Sequence, residues 1–298
     1  MKAICVGHST YDTTLPMDFY PEENLKYRIT KNIECGGGPA CNGGYVMAKW
    51  GMDTSIVSIV GKDYYGSQII REFQSVNADT TYIETRADYT TPSSYIIANM
   101  SKGTRTIITA QTETYRKLNI EVPIKANYIL IDGEYAETAK EVLLNNPDTI
   151  SVLDAGRLTP DRKELGKMVT YVICSKVFAE EFANTKIDVT NINSIITCYE
   201  ALKAYFQTNI IITLEDKGSF TKIDNEYMLI PSVKVKALDS TGAGDIFHGA
   251  FLYFIAHNYS LLDAIKYSSI TSAISVTRIG SRLSIPELNE VLNYDNLI

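Results

Sequence analysis

The stretch "DSTGAGDIFHGAFLYF", residues 239–254, sets an aspartate directly after a glycine-bounded turn and then runs apolar. Backbone N–H groups at a helix N-terminus are free, and with the helix dipole they make an anion site. Gly242, Ala243 and Gly244 are small enough to let a phosphate approach that backbone. Asp245 stands at the same mouth, where a carboxylate can take the proton of a bound hydroxyl. An anion hole beside a positioned base is what phosphoryl transfer to a hydroxyl requires. An aspartate at a helix start is equally an ordinary capping choice, so the turn alone leaves both readings open. Neither GxxxxGK[ST] nor GxGxxG occurs in the chain.

Such residues need a frame. The runs "NYILIDG" (127–133), "ISVLDAG" (150–156), "TYVICS" (170–175) and "NIIITLE" (209–215) are short, apolar and halted by Gly, Asp, Ser or Glu. Helical patterns such as "ETAKEVLLNN" and "INSIITCYEALKAYF" lie between them. Strands alternating with helices predict an α/β fold on a mainly parallel sheet, with ligands beyond the carboxyl ends of the strands. Asp12, Asp132, Glu134, Asp154 and Ser175 fall at or just past such ends. "KAICVGHSTYD" reads as a buried strand closing in a polar turn, and "KVKAL" as a strand feeding the glycine turn.

Residues 13–34 and 92–109 break the alternation and read as inserted strands, the second with a turn at Lys102-Gly103. They predict a small side sheet, serving as a lid over a ligand, a flap or a dimer contact. Lys26 and Arg105 sit on these strands. Each either reaches an acceptor or phosphate, or protects a sheet edge, as lysines commonly do. His248, three residues past Asp245, either orients a substrate or is packed in the core.

The chain has 298 residues, 45% hydrophobic and 21% charged, with net charge −7. That is ordinary globular composition, and its sign argues against a nucleic-acid partner. No apolar stretch approaches the roughly 20 residues of a membrane span, and the run in "MKAICVGHST" is too short for a signal peptide. Five cysteines without CxxC spacing fit neither a disulfide framework nor a zinc site, so a reduced, cytoplasmic setting is expected.

D-S-T-G-A-G-D followed by F-x-G-A-F resembles the closing signature of the ribokinase-like, or PfkB, carbohydrate kinases. "GGPACN" (37–42), "VGKDYYG" (60–66), "TLEDKGS" (213–219) and "VTRIGSRLSIP" (276–286) resemble that family's other segments, in family order. "KYR" ahead of "GGGPA", with "FHGAF", is similar to sugar kinases of the sulfofructose kinase and fructokinase type. The resemblance implies a single ribokinase-like domain over 1–298, with a β-sheet lid. It implies Asp245 as base and the Gly242–Gly244 turn as anion hole. Asp12, Gly37, Gly38, Asn42 and Glu134 would meet the sugar, joined by Lys26 and Arg105 from the lid. Ser175, Thr213, Glu215, Gly218 and Ser269 would lie on the nucleotide side. Asp239, Thr241, Ser275, Arg278, Gly280 and Ser284 would hold a monovalent cation. ATP, Mg2+, K+, a small-molecule sugar and a homodimer through the lid complete what it implies.

The chain departs from that pattern in places. Ser175 and Phe178 stand where Asn-x-x-Glu is usual, leaving Glu180, Glu181 or water and phosphate to hold magnesium. Glu215 replaces a glycine, and a carboxylate beside a triphosphate must turn away from it. Thr10 replaces the asparagine of ribokinases proper, which counts against ribose. A nucleoside kinase, a phosphosugar kinase and a non-catalytic sugar or nucleotide sensor are the alternatives.

Overall fold

The structure is a computed structural model describing residues 1–111, 114–121 and 125–294. The last residues of the expected domain, 295–298, lie outside the described residues. Its strands are β1 (Lys2–Val6), β2 (Thr10–Met17), β3 (Ile33–Gly37), β4 (Asp53–Gly61), β5 (Ile83–Arg86), β6 (Ser93–Asn99), β7 (Thr104–Ala110), β8 (Tyr128–Ile131), β9 (Ile150–Ala155), β10 (Tyr171–Ser175), β11 (Asn209–Thr213), β12 (Ser219–Ile223) and β13 (Glu226–Ile230). Its helices are α1 (Pro39–Lys49), α2 (Tyr64–Ser75), α3 (Ala136–Asn145), α4 (Pro160–Leu165), α5 (Lys176–Ala183), α6 (Ile192–Phe206), α7 (Ala243–Ala256), α8 (Leu261–Ser275) and α9 (Leu288–Leu292).

Nine strands form one sheet in the order β13-β12-β11-β10-β9-β8-β1-β4-β5. From β11 to β5 all neighbours are parallel, and the antiparallel β12–β13 hairpin closes one edge. Alternation along each strand feeds two cores. Ala3 and Cys5 of β1 pack with α1, α7 and α8, while Ile4 and Val6 pack with α3, α5 and α6. A mostly parallel strand covered on both faces must read as a continuous apolar run, which is why these strands were legible.

The second sheet has the order β3-β2-β6-β7. Three expectations need correction there and next to it. Asp12 does not lie in a turn closing β1; it is on β2, which starts at Thr10 and belongs to the small sheet. The first lid region is not strand throughout: residues 18–32 form no strand, because Pro21 lacks a donor and Asn24 turns the chain at φ 64. Lys26 therefore sits on an irregular, exposed segment. "KVKAL" is not a strand either; it has no strand neighbour, and the amides of Leu238 and Asp239 instead bond the Val276 carbonyl. Among the described residues no helix is long and apolar enough to cross a membrane.

Candidate active site

A cavity of about 230 Å3 opens where the small sheet meets the carboxyl end of β1 and the start of α7. Thr10, Asp12, Asn42, Arg105, Gly242 and Asp245 are among its walls. Gly242 precedes α7 at φ 75, a left-handed value that favours glycine, and no side chain caps this helix. The Ala243 amide makes a long 3.4 Å bond to the Ser240 carbonyl, and the next first-turn N–H groups, of Gly244 and Asp245, have no intrahelical acceptor and can meet an anion. The glycine turn lies where the sequence placed it, and Asp245, the third residue of α7, lines the cavity.

Helices α1 and α7 cross at two glycines. A Cβ on Gly249 would stand 2.3 Å from the Gly43 carbonyl oxygen, so only bare backbone permits this approach. The crossing brings Asn42 to Asp245, and Asn42 Nδ2 donates to Asp245 Oδ2 at 2.8 Å. Burial holds the Asp245 carboxyl above the usual carboxylate range, and the Asp154 charge adds to that. Asn42, His248 and Arg105 pull it back down.

Asp12 faces the same cavity from β2, its carboxylate lying against Gly37 of β3, and is 6% exposed. Burial pushes its carboxyl up to about 7, against the Ser94 hydroxyl and the Arg282 charge. Its Oδ1 is covered and accepts no well-formed hydrogen bond. A buried acceptor left open on a cavity wall is costly unless a ligand donates to it.

Behind the base, His248 Nδ1 lies 2.8 Å from Asp154 Oδ2, with both side chains 7% exposed. Burial alone would lower the imidazole, but the Asp154 carboxylate, the Asp245 charge and the Ile173 carbonyl together outweigh it and raise its pKa. The mutual orientation falls short of a well-formed hydrogen bond, so the contact is chiefly an ion pair. Asp132 closes the floor: its Oδ2 accepts from the His8 and Ala40 amides at 3.0 and 3.2 Å. Glu134, expected near the sugar, pairs with Arg162 at 3.0 Å and does not line the cavity.

The two lid cations separate. Arg105 on β7 lines the cavity, and its Nη1 donates to Ser240 Oγ at 2.9 Å, beside the glycine turn. Lys26 is not part of the lining. Gly38 lines the cavity, and Gly37 ends β3 next to it.

Six residues expected around a monovalent cation fall into one loop system. Asp239 is 2% exposed; its Oδ1 accepts from the Thr241 amide at 2.9 Å and hydroxyl at 2.6 Å, and its Oδ2 from the Gly280 amide at 3.0 Å. The Ser275 carbonyl accepts from the Arg278 amide, and the Ser284 amide donates to the Gly280 carbonyl. The Arg278 side chain turns away to Glu290. One carboxylate among serine, threonine and main-chain oxygens is a donor set suited to a hard monovalent ion.

The nucleotide side is assembled differently. Ser175 and Thr213 are register partners at the carboxyl ends of β10 and β11. Ser175 caps α5, accepting from the Phe178 amide at 3.0 Å and donating to the Gly156 carbonyl at 2.7 Å. Phe178 is wholly buried in the core. Glu215 is exposed at φ 56 and followed by Gly218 at φ 100. Ser269 is buried within α8 and does not line the cavity. Glu180 pairs with Lys186 at 2.8 Å and Glu181 with Arg157 at 3.0 Å, so neither replaces a magnesium carboxylate. Among the described residues no group of three acidic, histidine or cysteine side chains could hold a metal. These residues do not fit a carboxylate-held magnesium.

Sequence reasoning missed His8, Ser94 and Thr109 as cavity walls, and Arg282, which is discussed below. His8 lay in what read as a polar turn, and nothing in "GSRLSIP" marked its arginine as buried. A larger cleft of about 440 Å3 lies at the opposite, amino ends of β9 and β10, around Asn146, Lys167 and Thr208. It holds none of the expected residues, and the strand ends that carry chemistry in such sheets are the other ones.

A family model described as pfkB family carbohydrate kinase matches residues 1–288. The chain is 26% identical over 310 residues to a ribokinase of Staphylococcus aureus (strain COL), covering 97% of this chain and 98% of that one. Its fold is similar to the crystal structure of a ribokinase from Cryptococcus neoformans var. grubii serotype A in complex with ADP: TM-score 0.81, 20% identity, 98% of this chain and 99% of that chain. It is similar also to an Arabidopsis thaliana ribokinase complexed with ribose and ATP: TM-score 0.78, 19% identity, 98% and 97% covered.

Proposed function

The chain belongs to the pfkB family of carbohydrate kinases and is a phosphotransferase, and from that premise we propose how its own residues carry the transfer. The terminal phosphoryl group of ATP passes to a hydroxyl of a sugar or sugar-like polyol. Asp245 takes the hydroxyl proton, and the first-turn N–H groups after Gly242 hold the transferring group. Asp12 accepts from acceptor hydroxyls, and Arg105 covers the transferring charge from the lid. The observation that carries this reading is the juxtaposition in one cavity of Asp245, the uncapped start of α7 and the open acceptor Asp12 Oδ1.

The walls are rich in hydroxyls and carboxylates (Thr10, Asp12, Ser94, Thr109), which favours a neutral polyhydroxylated acceptor over a phosphosugar. The donor set around Asp239 supports potassium as an activator that orders the glycine turn from behind, through Thr241. Magnesium would come with the nucleotide, held by phosphate and water. The exposed edge strand β7, with Ile107 46% and Ile108 59% exposed, supports pairing of two lids in a homodimer.

A panel of sugars, phosphosugars and nucleosides in a coupled ADP-release assay tests the acceptor class. Turnover with a neutral sugar is expected. Turnover with nucleosides or phosphosugars alone would replace the reading, and ADP release by none of them would favour a sensor.

A further inference from the structure

Arg282 plays no part in the chemistry above, yet its side chain is only 1% exposed. Burying a guanidinium is expensive unless every donor is used well. Here Nη1 meets Glu72 Oε2 at 3.0 Å, Nε donates to Asn42 Oδ1 at 3.1 Å, and Nη2 donates to the Gly37 carbonyl at 3.3 Å. The group lies over the Phe73 ring at 4.2 Å. Gly36 makes room for it, since a Cβ there would stand 2.1 Å from Nη1. Glu72 in turn accepts from the Gly36 amide, and Ser281 Oγ donates to the Gly36 carbonyl at 3.2 Å. Three elements therefore converge on this one side chain from the loop after α8: the root of the lid at Gly37, helix α1 through Asn42, and helix α2 through Glu72 and Phe73.

The contact with Asn42 has a directional consequence. A guanidinium only donates and a carboxylate only accepts. Asn42 stands between Arg282 and Asp245, so its oxygen must face the first and its nitrogen the second. With the amide reversed, both contacts would be repulsive. Asp154, His248, Arg105 and Asp12 also act on the base, but none of them restricts this amide. We infer that Arg282 is a positioning residue: by gripping Asn42 Oδ1 and the Gly37 carbonyl, it fixes the amide that aims the Asp245 carboxylate at the acceptor hydroxyl. The inference rests on Asp245 being the base.

The test is a double-mutant cycle in single-turnover phosphoryl transfer, using Arg282→Met, Asn42→Ala and their combination. Arg282→Met should lower the transfer rate roughly tenfold to thirtyfold, with KM for ATP within about twofold. In the Asn42→Ala background the same change should cost less than about threefold, because the path through the amide is already gone. If loss of the guanidinium prevents folding, as judged by absence of a cooperative thermal transition, the cycle is read with Arg282→Lys. That variant keeps the charge but not the fork that holds Glu72, Asn42 and Gly37 together. A rate loss in the wild-type background that vanishes with Asn42→Ala supports the inference. Equal losses in both backgrounds, or an unchanged rate, overturn it. Asp245→Asn run alongside separates the two readings. Full turnover in that variant sinks the base itself, whereas a dead variant with additive Arg282 and Asn42 losses sinks only the positioning role.

Discussion

The proposed acceptor site and the residues proposed to meet the nucleotide are built to different tolerances. Around the base, Asp12, Asn42, Asp245 and Arg282 come from four separate elements and meet through buried contacts of 2.8–3.1 Å or through charge. On the nucleotide side, Ser175 serves its own helix cap, Glu215 points into solvent, and Glu180 and Glu181 pair with basic neighbours. The contrast follows from the chemistry. Transfer needs reacting atoms placed to within a fraction of an ångström, so the base must be locked. A nucleotide can be held by shape and by its own phosphates, so residues there are free to drift.

The largest way to break that contrast is at the glycine turn. Gly242→Ala puts a Cβ at φ 75 and 2.9 Å from Ser281 Cβ. Transfer should fall by roughly 10²–10³-fold, as for a lost anion-hole donor, with acceptor affinity nearly unchanged. Single-turnover rates and calorimetric acceptor binding check the two halves of that statement.

The locked half should also govern stability against pH. Asp12 and Asp132 are both raised to about 7 by burial, and His248 is raised as well. Unfolded carboxyls lose their protons near pH 4, so between about pH 4 and 7 the folded chain binds more protons than the unfolded one. Stability therefore falls as pH rises through that window. Asp63, Asp79, Glu180 and Glu290 are held low and act in the opposite sense below about pH 4, and His8, lowered by burial, offsets part of the fall within the window. Melting of the unliganded chain should drop by at least roughly 2–4 °C from pH 5 to pH 8. Asp12→Asn should flatten the slope. A melting point that rises over this range would show that the buried carboxylates are not the controlling groups.

The nucleotide half should respond least. Glu215 pays for a left-handed backbone, about 1–2 kcal/mol, of which glycine would recover part after its own chain entropy. Glu215→Gly should stabilise by roughly 0.5 kcal/mol and lower KM for ATP less than about fivefold, since an exposed charge is screened. A tenfold or greater change in either direction would mean that this loop is built as tightly as the base.

Legibility in the sequence follows the same divide. The parallel strands, the turn at Gly242 and the place of Asp245 on the cavity wall were readable because buried runs and helix starts leave local patterns. Asp12 was singled out but misplaced, since a three-residue break, Gly7 to Ser9, separates the main sheet from β2 in "VGHSTYD" too briefly to show as a change of sheet. Lys26 was misread because alternating polarity between residues 13 and 34 hid Pro21 and the turn at Asn24. Arg282 and the Asp154–His248 pair were invisible because their partners lie 94 to 245 positions away. Distance in sequence erases such pairs, whereas geometry at a helix mouth survives in four consecutive letters.

The central claim is that a carboxylate aimed by Asn42 at the mouth of α7 removes the acceptor proton. Single-turnover transfer by Asp245→Asn, with sugar and ATP binding measured on the same preparation by calorimetry, tests it most directly. The account predicts binding of both ligands within about threefold of the unmodified chain and a transfer rate lower by roughly 10²-fold or more. Transfer at the unmodified rate by a folded Asp245→Asn chain would contradict it.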